Sequence, residues 1–206
     1  MIKLFDKISD KEKNMLLKEF EASTISYKKN QRVLSSVKSN VIGIVLEGFI
    51  QIIKTDYDGN SSIVEEVLEE NIFGTMINSL NNNEYSIIAK EDSKILIIEY
   101  DMIYSSNNFK PYITKFLKNL LNITTEIIEE KNKHIQILTK KSIRDKILEY
   151  INVFRIPGSK VIYLPFSYTE FASYLAVDRC AMSRELKNLR DDGIIETKGK
   201  KIYLKF

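Results

Sequence analysis

Arg179, Cys180, Ser183, Arg184 and Lys187 cluster in the stretch RCAMSRELK. Their side chains are of the kind that meet nucleic acid: guanidinium and ammonium groups for phosphates and base edges, a hydroxyl for either. Turned by about 100° per residue, this stretch becomes a helix on which Met182, Leu186 and Leu189 form one apolar stripe. Arg184, Cys180 and Lys187 then fall opposite the stripe, with Arg179 and Ser183 on its flank. A guanidinium held this way can take guanine O6 and N7 together. Arg179 and Arg184 are therefore the candidate base readers, with Ser183 and Cys180 beside them, and Lys187 is assigned to backbone phosphate.

The elements that must hold these residues are written nearby. Ser167 and Glu170 have the spacing of a capping box, and Phe171, Ala172 and Leu175 fall on one face of the short helix it opens. Ala176-Val177 is a tight connector, and Asp178 is a good N-cap for the second helix. That helix stops at Asp191-Asp192-Gly193, where glycine supplies a left-handed position. Residues 194–204 read as two short strands about a Lys-Gly turn, a wing that carries Lys198, Lys200 and Lys201 where DNA backbone would lie. The first helix braces and the second enters the major groove. The alternative is a small helical hairpin packed against a globular body; cap, connector, polar outer face and basic wing agree on the first reading.

Residues 161–204, with the run LPFSYTEFASYLAVDRCAMSRELKNLRDDGII, resemble the winged helix-turn-helix of the CRP/FNR family of bacterial transcription regulators. The chain departs from that pattern at Ala176, where members often have glycine, and at Cys180, where many carry a base-reading glutamate. The second departure implies a different DNA consensus. Residues 4–105, through IGIVLEGFIQI, the DGN turn and the turn Asn71-Ile72-Phe73-Gly74 (NIFG), resemble the family's cyclic-nucleotide-binding fold. The resemblance implies an α+β protein: an N-terminal antiparallel β-roll sensor (1–108), a long dimerisation helix (109–138) and a C-terminal winged helix-turn-helix (139–206). It also implies double-stranded DNA and a second copy of the chain as partners, RNA polymerase if the protein activates, and a small-molecule effector.

Cyclic AMP is not the expected effector. The family follows its Phe-Gly with a ribose-binding glutamate and, a little later, with Arg-Ser for the cyclic phosphate. Here those places hold Thr75 and Tyr85-Ser86, and no basic residue occurs from Asn71 to Ala89. A buried phosphate without a cation is costly. The segment Asn78–Glu84 reads instead as a solvated loop.

Charge separates the chain in the same sense. From Thr139 onward there are 14 Lys+Arg and 8 Asp+Glu, a balance of +6, whereas residues 1–138 hold 17 and 20, a balance of −3. The C-terminal third is the part that faces a polyanion. Short strands between turn signals run from Thr24 to Tyr100 and predict a β-roll or barrel. Pro111 to about Lys140 has no further Gly or Pro. There Ile113, Leu117, Leu120, Thr124, Ile127, Lys131, His134 and Leu138 make a heptad seam, read as the contact with a second subunit. A second row, Leu121, Ile128 and Ile135, is expected to cover the β-roll. Ser142–Phe154 is a further amphipathic helix, and Thr139-Lys140-Lys141 the expected hinge between modules.

Little catalytic material is present. One histidine and one cysteine exclude a disulfide within the chain and a Cys₄ iron–sulfur or zinc site, and neither a Ser/His/Asp set nor a glycine-rich phosphate loop occurs. His134 could ligate haem or sense pH, but without a second histidine the reading as a polar seam residue or a simply exposed one is preferred. Oxidation of Cys180 would set bulk or charge against DNA, a candidate redox switch. No apolar run reaches the length of a membrane span, and MIKLFDKISDKEK is no signal peptide, so the expected compartment is the cytoplasm. The expected function is DNA-binding transcription regulation, not enzymatic; the competing class is a module that binds a protein or other non-DNA ligand.

Overall fold

The structure is a computed structural model and describes residues 3–34, 41–59, 61–74, 85–99 and 110–205. The sequence readings at Thr75, at Asn78–Glu84 and at Asn60 lie outside these residues. The chain forms two compact units, Met1–Thr125 and Glu126–Phe206, and each is an α+β body.

The first unit is built on two antiparallel four-stranded sheets. β1 (Ser23–Tyr27), β3 (Val41–Glu47), β6 (Ile72–Gly74) and β8 (Ser93–Glu99) form one sheet, in the order β1-β8-β3-β6. β2 (Arg32–Val33), β4 (Ile50–Thr55), β5 (Ser61–Val67) and β7 (Tyr85–Ala89) form the other, in the order β2-β7-β4-β5. Val41, Val45, Ile95 and Ile97 of the first sheet and Val33, Ile50, Ile52 and Ile87 of the second bury their side chains in one core. The two sheets therefore wrap a shared apolar interior, the β-roll. The segment at Asn71-Gly74 reads from sequence as a turn, yet Ile72–Gly74 pairs with Ile42–Ile44 as a strand, because Ile72 and Phe73 are both buried. Gly43 is required there: a Cβ at that position would stand 2.2 Å from the Phe73 ring.

Helix α1 (Asp10–Glu19) starts at a reciprocal capping box between Ser9 and Glu12. It packs with the first half of α2 (Pro111–Leu138) through Phe5, Phe20 and Phe116, whose ring centroids are 5.6–6.1 Å apart. Asn119 Nδ2 donates to the carbonyls of Leu4 and Asp6 at 3.1 and 2.8 Å. Lys115 pairs with Glu12, and Lys110 and Tyr112 with Glu19.

The second unit begins inside α2. Its core gathers Ile137 from α2, Ile147 and Ile151 from α3 (Ile143–Phe154), Phe171 from α4 (Tyr168–Tyr174) and Met182, Leu186 and Leu189 from α5 (Arg179–Asp191). A three-stranded antiparallel sheet completes it, with β9 (Val161–Tyr163), β10 (Ile195–Lys198) and β11 (Lys201–Leu204) in the order β10-β11-β9. The segment 139–141, expected as the hinge between modules, lies inside this unit. Ile137 before it is fully buried in the core, and Gln136 and Lys140 both bond Glu149 after it.

Candidate nucleic-acid interface

Each cap read from the sequence forms. Ser167 Oγ accepts from the Glu170 N–H at 3.2 Å, while Glu170 accepts from the Ser167 N–H at 2.6 Å. Hydrogen bonds from the Ser167 N–H and hydroxyl, with the positive field of Lys200, hold the Glu170 carboxyl below its usual range. Asp178 Oδ1 accepts from Ala181 N at 2.8 Å and starts α5. Gly193 ends it with φ +68°. Ala176, in the connector, has φ +50°, a left-handed conformation that costs an L-residue roughly 1–2 kcal/mol.

These caps and the core fix the rotation of α5 about its axis. Met182, Leu186 and Leu189 are buried at 0, 3 and 0% exposure, and Arg179, Cys180, Ser183, Arg184 and Lys187 are all exposed on the other side. Arg184 Nε donates to the carbonyl of Cys180 at 3.4 Å. Among the described residues no carboxylate pairs with Arg179, Arg184 or Lys187, so their charge is left for an outside anion. Glu185 of α5 and its C-cap Asp192 are directed elsewhere. Arg144 of α3 holds Glu185 at 3.3 Å and Asp192 at 2.7 Å.

The wing is tied to both helices. Tyr168 Oη donates to the carbonyl of Gly199 at the tip at 2.9 Å, and Arg190 Nη1 donates to Thr197 Oγ1 at 3.0 Å. Lys198 and Lys200 are exposed, whereas Lys201 is half-buried with its ammonium 4.9 Å from the Tyr163 ring centroid. Tyr168 and Arg190 escaped the sequence reading. Their partners lie 31 and 7 residues away across a turn whose position only the fold supplies.

The family model described as "Cyclic nucleotide-binding domain" matches residues 24–105, and that described as "Crp-like helix-turn-helix domain" matches residues 146–205. The chain belongs to the CRP/FNR family of transcription regulators. A curated relative of this CRP/FNR regulator, the "Transcriptional activator protein FnrL" of Cereibacter sphaeroides, is 22% identical over 187 residues, 85% of this chain and 73% of the relative. Among solved structures, CprK complexed with OCPA is similar at TM-score 0.62 and 16% identity, over 93% of this chain and 91% of that one. A CooA mutant from Carboxydothermus hydrogenoformans is similar at TM-score 0.58 and 19% identity, over 93 and 86%. At such identities the likeness to solved structures speaks to fold alone. The CRP/FNR family is one of transcription regulators, not of enzymes.

In the β-roll of this CRP/FNR regulator, Tyr85 and Ser86 open β7, and the sheet brings cations to Tyr85 that the linear count omits. Arg32 Nη2 lies 3.5 Å from the Tyr85 carbonyl, and Lys54 Nζ lies 5.7 Å from the Tyr85 ring centroid. Both come from neighbouring strands, Lys54 directly opposite Tyr85.

The seam on α2 also needs correction. Ile113 and Leu120 are 2 and 6% exposed and belong to the chain's own packing. Leu117, Thr124, Ile127 and Leu138 are half-buried. His134 stacks on Tyr174 at 4.1 Å between ring centroids, and its Nε2 lies 2.7 Å from the Tyr174 carbonyl oxygen, so that nitrogen is already engaged. The row expected to be covered, Leu121, Ile128 and Ile135, stands 66, 58 and 57% exposed. Among the described residues no helix is long and apolar enough to cross a membrane, and no cluster of His, Cys, Asp and Glu could hold a metal.

Proposed function

We propose that this CRP/FNR regulator acts as a homodimer that binds a near-palindromic DNA operator through the exposed face of α5, under an effector other than cyclic AMP and in the cytoplasm. The observation that carries this reading is the division of α5: three apolar residues are buried on one side, and Arg179, Arg184 and Lys187 are exposed on the other, with no carboxylate partner among the described residues. Arg179 and Arg184, with Ser183 and Cys180, are the base-facing set; Lys187, Lys198, Lys200 and Lys201 serve the backbone. Two such helices set about one DNA turn apart, ~34 Å, would read the two half-sites.

The exposed row Leu121, Ile128 and Ile135 supports pairing of two copies, since its members are one heptad apart and a coiled-coil seam repeats at that interval. Leu117, Thr124 and Leu138 flank the row. The effector reading rests on what stands at the family's ligand positions, Thr75 and Tyr85-Ser86 in place of Glu and Arg-Ser. RNA polymerase is the further partner if the protein activates.

The test is selection of bound duplexes from a random-sequence pool, followed by titration of the winning duplex at rising salt. The expected result is an enriched sequence with two inverted half-sites and an affinity that falls steeply as salt rises. A pool that returns unenriched, with binding indifferent to salt, would sink the reading in favour of a module that binds a non-DNA partner.

A further inference from the structure

The turn between α4 and α5 contains two carbonyls that the backbone does not serve. Leu175 N–H bonds Phe171 and Ser173, Ala176 N–H bonds Ser173, and Val177 N–H bonds Ala172. Among the described residues no backbone N–H outside the helices reaches the oxygens of Tyr174 or Leu175. A helix end leaves such carbonyls open, and partly buried ones need a donor from elsewhere. Both donors come from other helices. His134 of α2 meets Tyr174 O at 2.7 Å, and Lys146 Nζ of α3 meets Leu175 O at 3.0 Å. A carbonyl only accepts, so His134 Nε2 carries the proton. The imidazole is held flat against the Tyr174 ring, 17° from parallel.

We propose that His134 and Lys146 are positioning residues for the reading helix: by clamping the carbonyls of the last residue of α4 and of its C-cap, Tyr174 and Leu175, they fix the turn from which α5 departs. The inference rests on α5 being the DNA-reading element and gives its aim a cause. The residues that follow the clamp are Ala176 with its left-handed backbone, Val177 and the N-cap Asp178. An unclamped turn would let α5 pivot while its apolar stripe stays buried. Discrimination between sequences, which needs base-edge geometry, would then fall before general attraction to phosphate does. Tyr174, Tyr150, Glu130 and Lys146 are the charged or titratable groups that the structure places against this joint among the described residues.

The experiment compares wild type with His134→Leu, which removes the donor, His134→Gln, whose amide nitrogen can replace it, and Lys146→Met. Two readouts are taken on the full chain: hydrogen exchange of the backbone amides of residues 176–182, and the ratio of affinities for the wild-type-selected duplex and a random duplex. His134→Leu and Lys146→Met should each exchange faster at the turn and lose about tenfold in that ratio, with random-duplex affinity kept; His134→Gln should restore both. Unchanged exchange at the turn in His134→Leu overturns the clamp. So does accelerated exchange with an unchanged ratio, or failure of Gln to restore either. If wild type itself shows no preference between duplexes, the DNA reading fails, while the exchange measurement still judges the clamp.

Discussion

Arg144 and Asp192 are joined by a 2.7 Å ion pair that ties the start of α3 to the C-cap of α5. The same guanidinium reaches Glu185 at 3.3 Å. Asp192 and Glu185 in turn hold the Arg144 guanidinium above its usual range. One cation thus occupies a carboxylate of α5 and that of its C-cap, and a partly exposed pair of this kind is screened by salt.

Arg144→Gln should therefore lower the melting temperature most at low ionic strength. It should also weaken duplex binding severalfold, because Glu185 and Asp192 become uncompensated negative charges on the element proposed to approach a polyanion. Melting curves and duplex titrations at two salt concentrations check both effects. Equal losses at low and high salt would assign the contact to packing instead.

Arg184 and the wing lysines should respond differently to removal. Arg184→Ala is expected to cost about 1–3 kcal/mol on the selected duplex and to relax the preferred sequence. Lys200→Ala should weaken all duplexes alike and reduce the salt slope by about one. Equal losses on selected and random DNA for Arg184→Ala would remove it from the base-reading set.

Ala176 stands at φ +50° with its side chain exposed. Ala176→Gly relieves the left-handed strain and gives back part of the gain through the freer unfolded chain. The net expectation is a stabilisation of about 0.5–1 kcal/mol by chemical denaturation. A destabilised glycine variant would show that the connector tolerates alanine at no cost.

The two apolar rows of α2 should separate stability from assembly. Ile128→Lys should yield folded monomers in sedimentation, since Ile128 is 58% exposed. Leu120→Ala, at a residue 6% exposed, should cost about 2–5 kcal/mol of stability while leaving the subunit count alone. The opposite pattern would return the interface to the row with Ile113 and Leu120.

The Glu12 carboxyl is held down to about 2, from an ordinary 4.5, first by the backbone and side-chain hydrogen bonds of Ser9 and then by Lys115. Between those values the unfolded chain binds more protons than the folded one, so stability rises with pH there. The contribution is complete above about 4.5 and is lost as pH falls through about 2. Glu12→Gln should flatten the acid side of the stability profile without changing its slope near neutrality. Denaturation midpoints taken across the acid range measure this.

Short-range chemistry made the winged helix-turn-helix readable. Ser167 with Glu170, Asp178 and Gly193 each act within three or four residues, and each does in the fold what its spacing implies. The β-roll was legible for a similar reason, since alternation and turns are local. The faces of α2 were not. A heptad pattern marks two apolar rows, but only tertiary packing decides that Ile113 and Leu120 are covered and that Leu121, Ile128 and Ile135 are bare. His134 looked like a seam residue because its partner, Tyr174, is 40 residues away. Nor does anything near Lys140 and Lys141 reveal that Ile137 before them is anchored in the same core as Ile147 after them.

Cys180 is the one sulfhydryl in the chain and it is exposed, in the first turn of α5. A maleimide dye added to the unmodified protein therefore attaches at a single address, beside Arg179 and Arg184. No cysteine has to be engineered in or out, so the native molecule comes with its own spectroscopic handle on the surface that matters most.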